Sequence, residues 1–346
     1  MEIAAKASLF AISLFFLLKG IESSYDESSR KKMFVFGDSY ADTGNLGRVL
    51  GRNYARSWFE PYGMTFPKKP TGRFSNGRLL TDYVASFMRT KSPIPYKIRR
   101  YGPTLLPYGM NFAVAGSGIF DTGNHQSNLS AQIDHFQSQI DAGVYSDASI
   151  RCSAALVVIS GNDYAHLAEQ DPNFSLHIRE FMQKLFAQLK VDLLRLQEIG
   201  VPKVMVTNLH PIECTPLYTR ASNYTLCPQN ISHAVFEHNQ SMNKLMLDLR
   251  RTNNSNTEFL NLNVNKAFSN IIHQVKGSTK KKYPLLPCCE SSSEKTECGY
   301  LDDKGNKMYS VCQRPDEHFY WDSVHPTQAG WAAAFEYLKP TIKRFL

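Results

Sequence analysis

The sequence predicts an α/β domain, a parallel sheet with helices on both faces. Short apolar runs rich in β-branched and aromatic residues recur at 33–36, 109–115, 154–159, 204–207 and 259–264. Between several of them lie stretches with apolar residues three and four positions apart. Strands alternating with helices build right-handed βαβ units whose sheet is covered on both sides. No internal repeat, low-complexity tract or linker divides the chain, so a single domain over 24–346 is expected. With 346 residues, 42% hydrophobic and 20% charged, the chain can bury a large core and is not a disordered sequence.

The first 23 residues read as a secretory signal peptide. Lys6 precedes an apolar core at 7–18, followed by Gly20 and the small residues Ser23 and Ser24. Cleavage near Ser23 and a secreted, extracellular or cell-wall location are expected. That core is short for a bilayer span and no other stretch is long and apolar enough, so no stable membrane span is expected. Cleavage removes Lys6, Lys19, Glu2 and Glu22, two charges of each sign, so the formal charge of +8 is unchanged. Basic residues pair at Lys68 and Lys69 and at Arg99 and Arg100, with a triplet at 280–282. They lack the aromatic interleaving of a nucleic-acid surface, so no nucleic-acid partner is expected. Contact with acidic cell-wall polysaccharide or anionic lipid fits the charge.

The run 33–36 is a buried strand that stops at Gly37, whose missing Cβ permits a sharp turn. Ser39 is then held just past the strand's carboxyl end, where open α/β sheets place their ligands. Residues 46–80, rich in Gly, Pro, Arg and aromatics, read as a long loop over that edge. Trp58, Phe59, Tyr62 and Phe66 suggest an apolar lip there. Helical spacing covers 79–88, and Pro93, Pro95 and Pro103 mark further loop. The strand 109–115 ends at Gly116, Ser117 and Gly118. A helix fits 130–142 with Ser130 as N-cap. The strand 154–159 ends at Ser160, Gly161, Asn162 and Asp163. A long amphipathic helix at 174–199 is closed by Gly200, and Pro202 opens the strand 204–207. A helix at 233–251 and a fifth strand at 259–264 follow. The last helix, 328–338, is stopped by Pro340, and Asp322 and His325 stand three apart in the turn before it.

Seven cysteines leave at least one without an intrachain partner. Cys288, Cys289, Cys298 and Cys312 cluster in a polar segment and read as staples on a long loop, with three pairings open. Cys214 and Cys227 can pair, and Cys152 is the candidate for the odd thiol. Adjacent cysteines are poor zinc-ligand spacing, and no metal is expected. Six Asn-x-Ser/Thr sequons, at Asn128, Asn173, Asn223, Asn230, Asn239 and Asn253, are glycosylation candidates in a secreted chain.

Three strand ends and one pre-helix turn therefore carry the residues of chemical interest. Ser39 is the nucleophile candidate, and a serine hydroxyl needs a base. His325 is the base candidate, since a neutral imidazole can take a serine proton. Asp322 can fix the imidazole tautomer and stabilise the imidazolium that forms. The backbone amides of Gly116 and Ser39 and the side-chain amide of Asn162 are oxyanion donors. Asp38, Asp42, Asn45, Asn111, Gly118 and Asp163 read as scaffold. His210, His233, His238 and His318 are given no functional role.

The segments 37–45 (Gly-Asp-Ser-Tyr-Ala-Asp-Thr-Gly-Asn), 111–116 (Asn-Phe-Ala-Val-Ala-Gly), 161–163 (Gly-Asn-Asp) and 322–326 (Asp-Ser-Val-His-Pro) resemble, in order, the four blocks of the GDSL/SGNH hydrolases. The spacing, the paired cysteines and the ending at 321–327 look most like the plant secreted GDSL esterase/lipases. The resemblance implies a three-layer αβα sandwich around a five-stranded parallel sheet. It implies Ser39 as nucleophile, Gly116 and Asn162 as oxyanion donors, and His325 as base with Asp322 behind it. It implies a lipid or acylated-carbohydrate ester as substrate and no cofactor. Tyr40 departs from the family's leucine, a change that bears on the pocket wall rather than the chemistry. An acyltransferase using the same site and a catalytically silent cell-wall binding protein are the alternative readings. The substrate depends on loops 46–80 and 208–230.

Overall fold

The computed structural model describes residues 31–229, 231–252, 256–274 and 283–346. The expected signal segment 1–23, the sequons at Asn230 and Asn253, and the basic triplet 280–282 lie outside the described residues. The central sheet has 6 strands: β1 (Lys32–Gly37), β2 (Ile94–Pro95), β3 (Gly109–Asn111), β4 (Ser153–Val158), β5 (Lys203–Thr207) and β6 (Glu258–Leu262), in the order β2-β3-β1-β4-β5-β6. Every pairing is parallel. The sheet therefore has one strand more than the five expected. The extra strand is β2, two residues inside the stretch read as loop because of its prolines. Pro95 is tolerated there because β2 is an edge strand, where a missing N–H breaks no ladder.

The helices are α1 (Leu80–Phe87), α2 (Leu129–Asp141), α3 (Asp147–Arg151), α4 (Asn162–Gln170), α5 (Phe174–Glu198), α6 (Pro216–Thr219), α7 (Ser232–Arg251), α8 (Val264–Gln274) and α9 (Gln328–Phe345). Side chains alternate across a strand, and β1 divides accordingly. Met33 and Val35 face a core built with Leu80 and Val84 of α1, Phe268 of α8 and Phe335 and Leu338 of α9. Phe34 and Phe36 face the opposite core, built with Ile133 and Phe136 of α2, Leu189 and Leu193 of α5, and Leu245 and Leu249 of α7. This is a three-layer αβα sandwich. All six residues of β1 are buried, as a central parallel strand requires.

Several boundaries differ from expectation. Helix α2 is capped by Asn128, whose side chain accepts from the Ala131 amide, not by Ser130. The Ser130 hydroxyl instead donates to Asp192. The fifth predicted strand stops at Leu262, and Val264 opens α8. Helix α9 runs through Pro340, which forgoes one backbone bond. Burial of Leu338 and Ile342 on either side holds the helix together.

The cysteine-rich segment is not wholly loop. It holds a short antiparallel pair, β7 (Cys289–Ser291) with β8 (Tyr309–Val311). Disulfides join Cys214 to Cys227, Cys288 to Cys312 and Cys289 to Cys298, and Cys152 is free and exposed. Among the described residues no helix is long and apolar enough to cross a membrane.

Candidate active site

Three strand ends converge because β1 lies between β3 and β4. At Gly37 φ is +129°, and an added Cβ would lie 1.9 Å from the Val158 carbonyl oxygen, so only glycine fits this close approach. Gln132 of α2 accepts from the Gly37 amide at 2.7 Å and donates to its carbonyl at 2.9 Å. The chain then turns, and Ser39 stands at the carboxyl end of the sheet, 8% exposed.

His325 comes to Ser39 across 286 residues, with Nε2 2.8 Å from the serine Oγ. On the other side, His325 Nδ1 lies 2.8 and 2.9 Å from the two carboxylate oxygens of Asp322. Their spacing of three is an Asx-type turn: Asp322 Oδ1 also accepts from the amides of Val324 (3.0 Å) and His325 (2.8 Å). Burial pushes the Asp322 carboxyl up, but the imidazole and these amides outweigh it and hold it below the usual carboxylate range. Phe74 stacks on the imidazole with centroids 4.7 Å apart. The Tyr40 hydroxyl donates to the Val324 carbonyl at 2.6 Å, and its ring stacks on His210. Tyr40 thus ties the serine turn to the histidine turn and also lines the cavity.

Gly116 (φ +85°) and Asn162, the first residue of α4, face the same cavity as Ser39. No described residue accepts from the backbone amides of Ser39 or Gly116. One Asn162 amide hydrogen goes to the Ser117 carbonyl at 2.9 Å, which fixes the side chain and leaves a second hydrogen.

The residues read as scaffold bind these pieces together. The buried Asp42 carboxylate accepts from the amides of Gly44, Asn45 and Leu46 and from Ala115, next to Gly116. Asn45 donates to the carbonyls of Asn111 and Ala113, and Asn111 donates to that of Ala41. Asp38 accepts from Ser160, both amide (2.5 Å) and hydroxyl (2.7 Å), joining the β1 turn to the β4 turn. Burial pushes its carboxyl up to about 6, against these bonds. Asp163 accepts from the amides of Ile119 and Phe120. Gly118 is compulsory beside it, because a Cβ would meet that carboxylate at 2.5 Å.

His210 lines the cavity, and burial pushes it down to about 3, so it is neutral. His238 accepts or donates at 2.7 Å with Tyr164, and His318 bonds the Leu286 carbonyl. His233 pairs with Glu237, and both line the cavity.

The cavity is about 970 Å³, near the upper end for ligand sites, roughly 300–1,000 Å³. The aromatic lip is not the one expected. Trp58, Phe59, Tyr62 and Phe66 do not line it. Phe59 lies under Arg52 and Phe66 under Arg78, while Tyr62 is buried behind Asp322. Tyr54 and Phe74 stand there instead. Loops 46–80 and 208–230 both contribute, but much of the wall comes from α4 and the starts of α5 and α7, through Ala165, Ala168, Ile178, Ala234 and Val235. Among the sequons, Asn173 and Asn223 are exposed, and Asn128 serves as the α2 cap. Asn239 bonds both ways with the Leu209 backbone, so a glycan would break that pair, and the residue reads as scaffold.

Residues 33–338 match the GDSL-like lipase/acylhydrolase family. The chain belongs to that family. Three GDSL esterase/lipases of Arabidopsis thaliana are similar to it. One is 38% identical over 316 residues, covering 90% of this chain and 86% of the relative. A second is 38% identical over 348 residues, covering 97% and 96%. A third is 35% identical over 346 residues, covering 97% of each. In this GDSL chain the four motif blocks fall at the ends of β1, β3 and β4 and in the turn before α9.

Proposed function

We propose that the protein is a secreted serine esterase that hydrolyses carboxylic esters with an apolar acyl chain. Membership of the GDSL family makes it a carboxylic ester hydrolase, and the residue roles are our reading of the site. Ser39 Oγ attacks the ester carbonyl while His325 Nε2 takes its proton. The amides of Ser39, Gly116 and Asn162 receive the oxyanion. The intermediate collapses, the alcohol leaves with the proton from Nε2, and Ser39 is acylated. Water, deprotonated by His325, attacks the acyl-enzyme and releases the acid and the free serine. The observation that carries this is the unbroken line from Ser39 through His325 to Asp322, each step 2.8 Å, at the wall of the large cavity.

The apolar wall of α4, α5 and α7 supports an acyl chain. The three disulfides, among the described residues, fit an oxidising compartment and support secretion. Lys68, Lys69 and Arg100 are exposed, which supports a contact with acidic polysaccharide.

The test is labelling with a fluorophosphonate beside hydrolysis of p-nitrophenyl esters of increasing chain length, for wild type and Ser39→Ala. Both should vanish in the variant. Unlabelled, well-folded wild type would overturn the reading.

A further inference from the structure

We propose that Tyr62 is a positioning residue: its phenol holds the Asp322 carboxylate in the orientation that presents His325 to Ser39. The inference rests on the esterase reading above. Tyr62 lies 260 residues from Asp322 and outside all four motif blocks, yet its hydroxyl donates to Asp322 Oδ2 at 2.8 Å.

The two carboxylate oxygens are not equally held. Oδ1 accepts from two backbone amides besides the imidazole. Among the described residues, Oδ2 accepts only from Tyr62 besides the imidazole. The imidazole straddles both oxygens at 2.8 and 2.9 Å, so any pivot of the carboxylate turns the ring directly. Tyr62 and Asp322 are each 1% exposed, and water has no ready access to replace a lost donor there. Burial and the neighbouring carboxylate push the Tyr62 phenol well above its ordinary value, so it remains a donor.

The phenol is itself fixed. Its ring meets Phe74 edge-on at 5.5 Å and Trp321 at 6.1 Å, and Phe74 is the ring stacked on His325. The next residue, Gly63, donates to the Ser75 carbonyl, and a Cβ at Gly63 would lie 2.2 Å from the Lys69 carbonyl oxygen. The chain beside Tyr62 is therefore closely packed against 69–75. The Arg56 guanidinium places its charge beside the same phenol and lies 3.8 Å from Glu297. Glu297 in turn accepts from Ser323, inside the Asp322–His325 turn. The support closes on the turn that it serves.

Steady-state kinetics on a p-nitrophenyl ester test this with Tyr62→Phe, which removes one buried atom and keeps the ring. We expect kcat to fall about ten-fold or more while KM stays within about two-fold, since a bond to a charged group is lost and substrate contacts are not. Incorporation of 4-aminophenylalanine at position 62 restores an N–H donor and should return kcat to within about three-fold of wild type. Should Tyr62→Phe fail to fold, this second variant decides alone: near-normal kcat supports the role, and a low kcat in folded protein overturns it. A Tyr62→Phe enzyme with wild-type kcat, or a loss confined to KM, also overturns it. Wild type without ester turnover would instead remove the esterase reading, a different failure.

Discussion

Replacing Asp42 with alanine perturbs the point where the serine turn and the oxyanion loop are joined. The carboxylate is fully buried. It accepts from Gly44 at 2.7 Å, Asn45 at 2.6 Å, Leu46 at 3.0 Å and Ala115 at 2.9 Å. At about 1 kcal/mol net per buried bond, four lost bonds cost about 4 kcal/mol. Bonds to a charge are stronger, but burial also pushes the Asp42 carboxyl up, so removing the charge returns part of that excess. About 4 kcal/mol is a large part of a stability of roughly 5–15 kcal/mol. The fourth bond anchors Ala115, the neighbour of Gly116, so the oxyanion amide should also move. A misplacement near 1 Å can cost about a hundred-fold in rate. Urea denaturation followed by circular dichroism reads the first effect, and the rate of fluorophosphonate labelling under native conditions reads the second. Asp42→Asn keeps the shape and one carbonyl oxygen and should fall between. A loss below about 1 kcal/mol with normal labelling would show that the four buried amides are satisfied without Asp42, contrary to its joining role.

Asn162→Ala should lower kcat about 10²–10³-fold with little change in KM, as removal of an oxyanion donor does; a change confined to KM would argue for a binding role. The two buried carboxylates should act oppositely on stability. Asp322, held below its ordinary value of 3.8, contributes stability present above that pH and lost as the pH falls through its folded value. Asp38, raised from 3.8 to about 6, stabilises most below pH 3.8, and its contribution of up to about 3 kcal/mol is lost as the pH rises through about 6. Urea midpoints from pH 3 to 8 for wild type and Asp38→Asn should differ in slope in that window, and parallel curves would contradict it. Ala168→Trp should spare short esters and lose long ones, since Ala168 lines the apolar wall; an unchanged chain-length profile would remove the acyl chain from that wall.

The layered fold was legible because its signals are local. The unbroken apolar run of β1, and the helical spacing of α5 with the glycine after it, are each written in neighbouring residues. Ser39, Gly116 and Asn162 were legible for the same reason: each follows a readable strand end. His325 and Asp322 were legible as a pair through their spacing of three before a helix. Tyr62 was not, because its partner lies 260 residues away and an aromatic in a loop gives no sign of what it will meet. Phe74 and the cavity wall were hidden likewise, since they depend on how α4, α5 and α7 are set beside one another. Pro340 misled because its local preference is overridden by the burial of Leu338 and Ile342. Strand β2 was lost because its two residues carry too little pattern to read. The pairing of Cys288 with Cys312 rather than a neighbour depended on β7 and β8, a hairpin of three residues per strand.

The esterase mechanism requires a covalent acyl group at Ser39. A slow p-nitrophenyl ester mixed with enzyme and quenched in acid within the first turnover, followed by mass spectrometry of the digested chain, measures it. A burst of p-nitrophenol and an acyl mass on the peptide containing Ser39, both absent in Ser39→Ala, are expected. Turnover with no acyl-peptide, or with the acyl group on another residue, would contradict that mechanism.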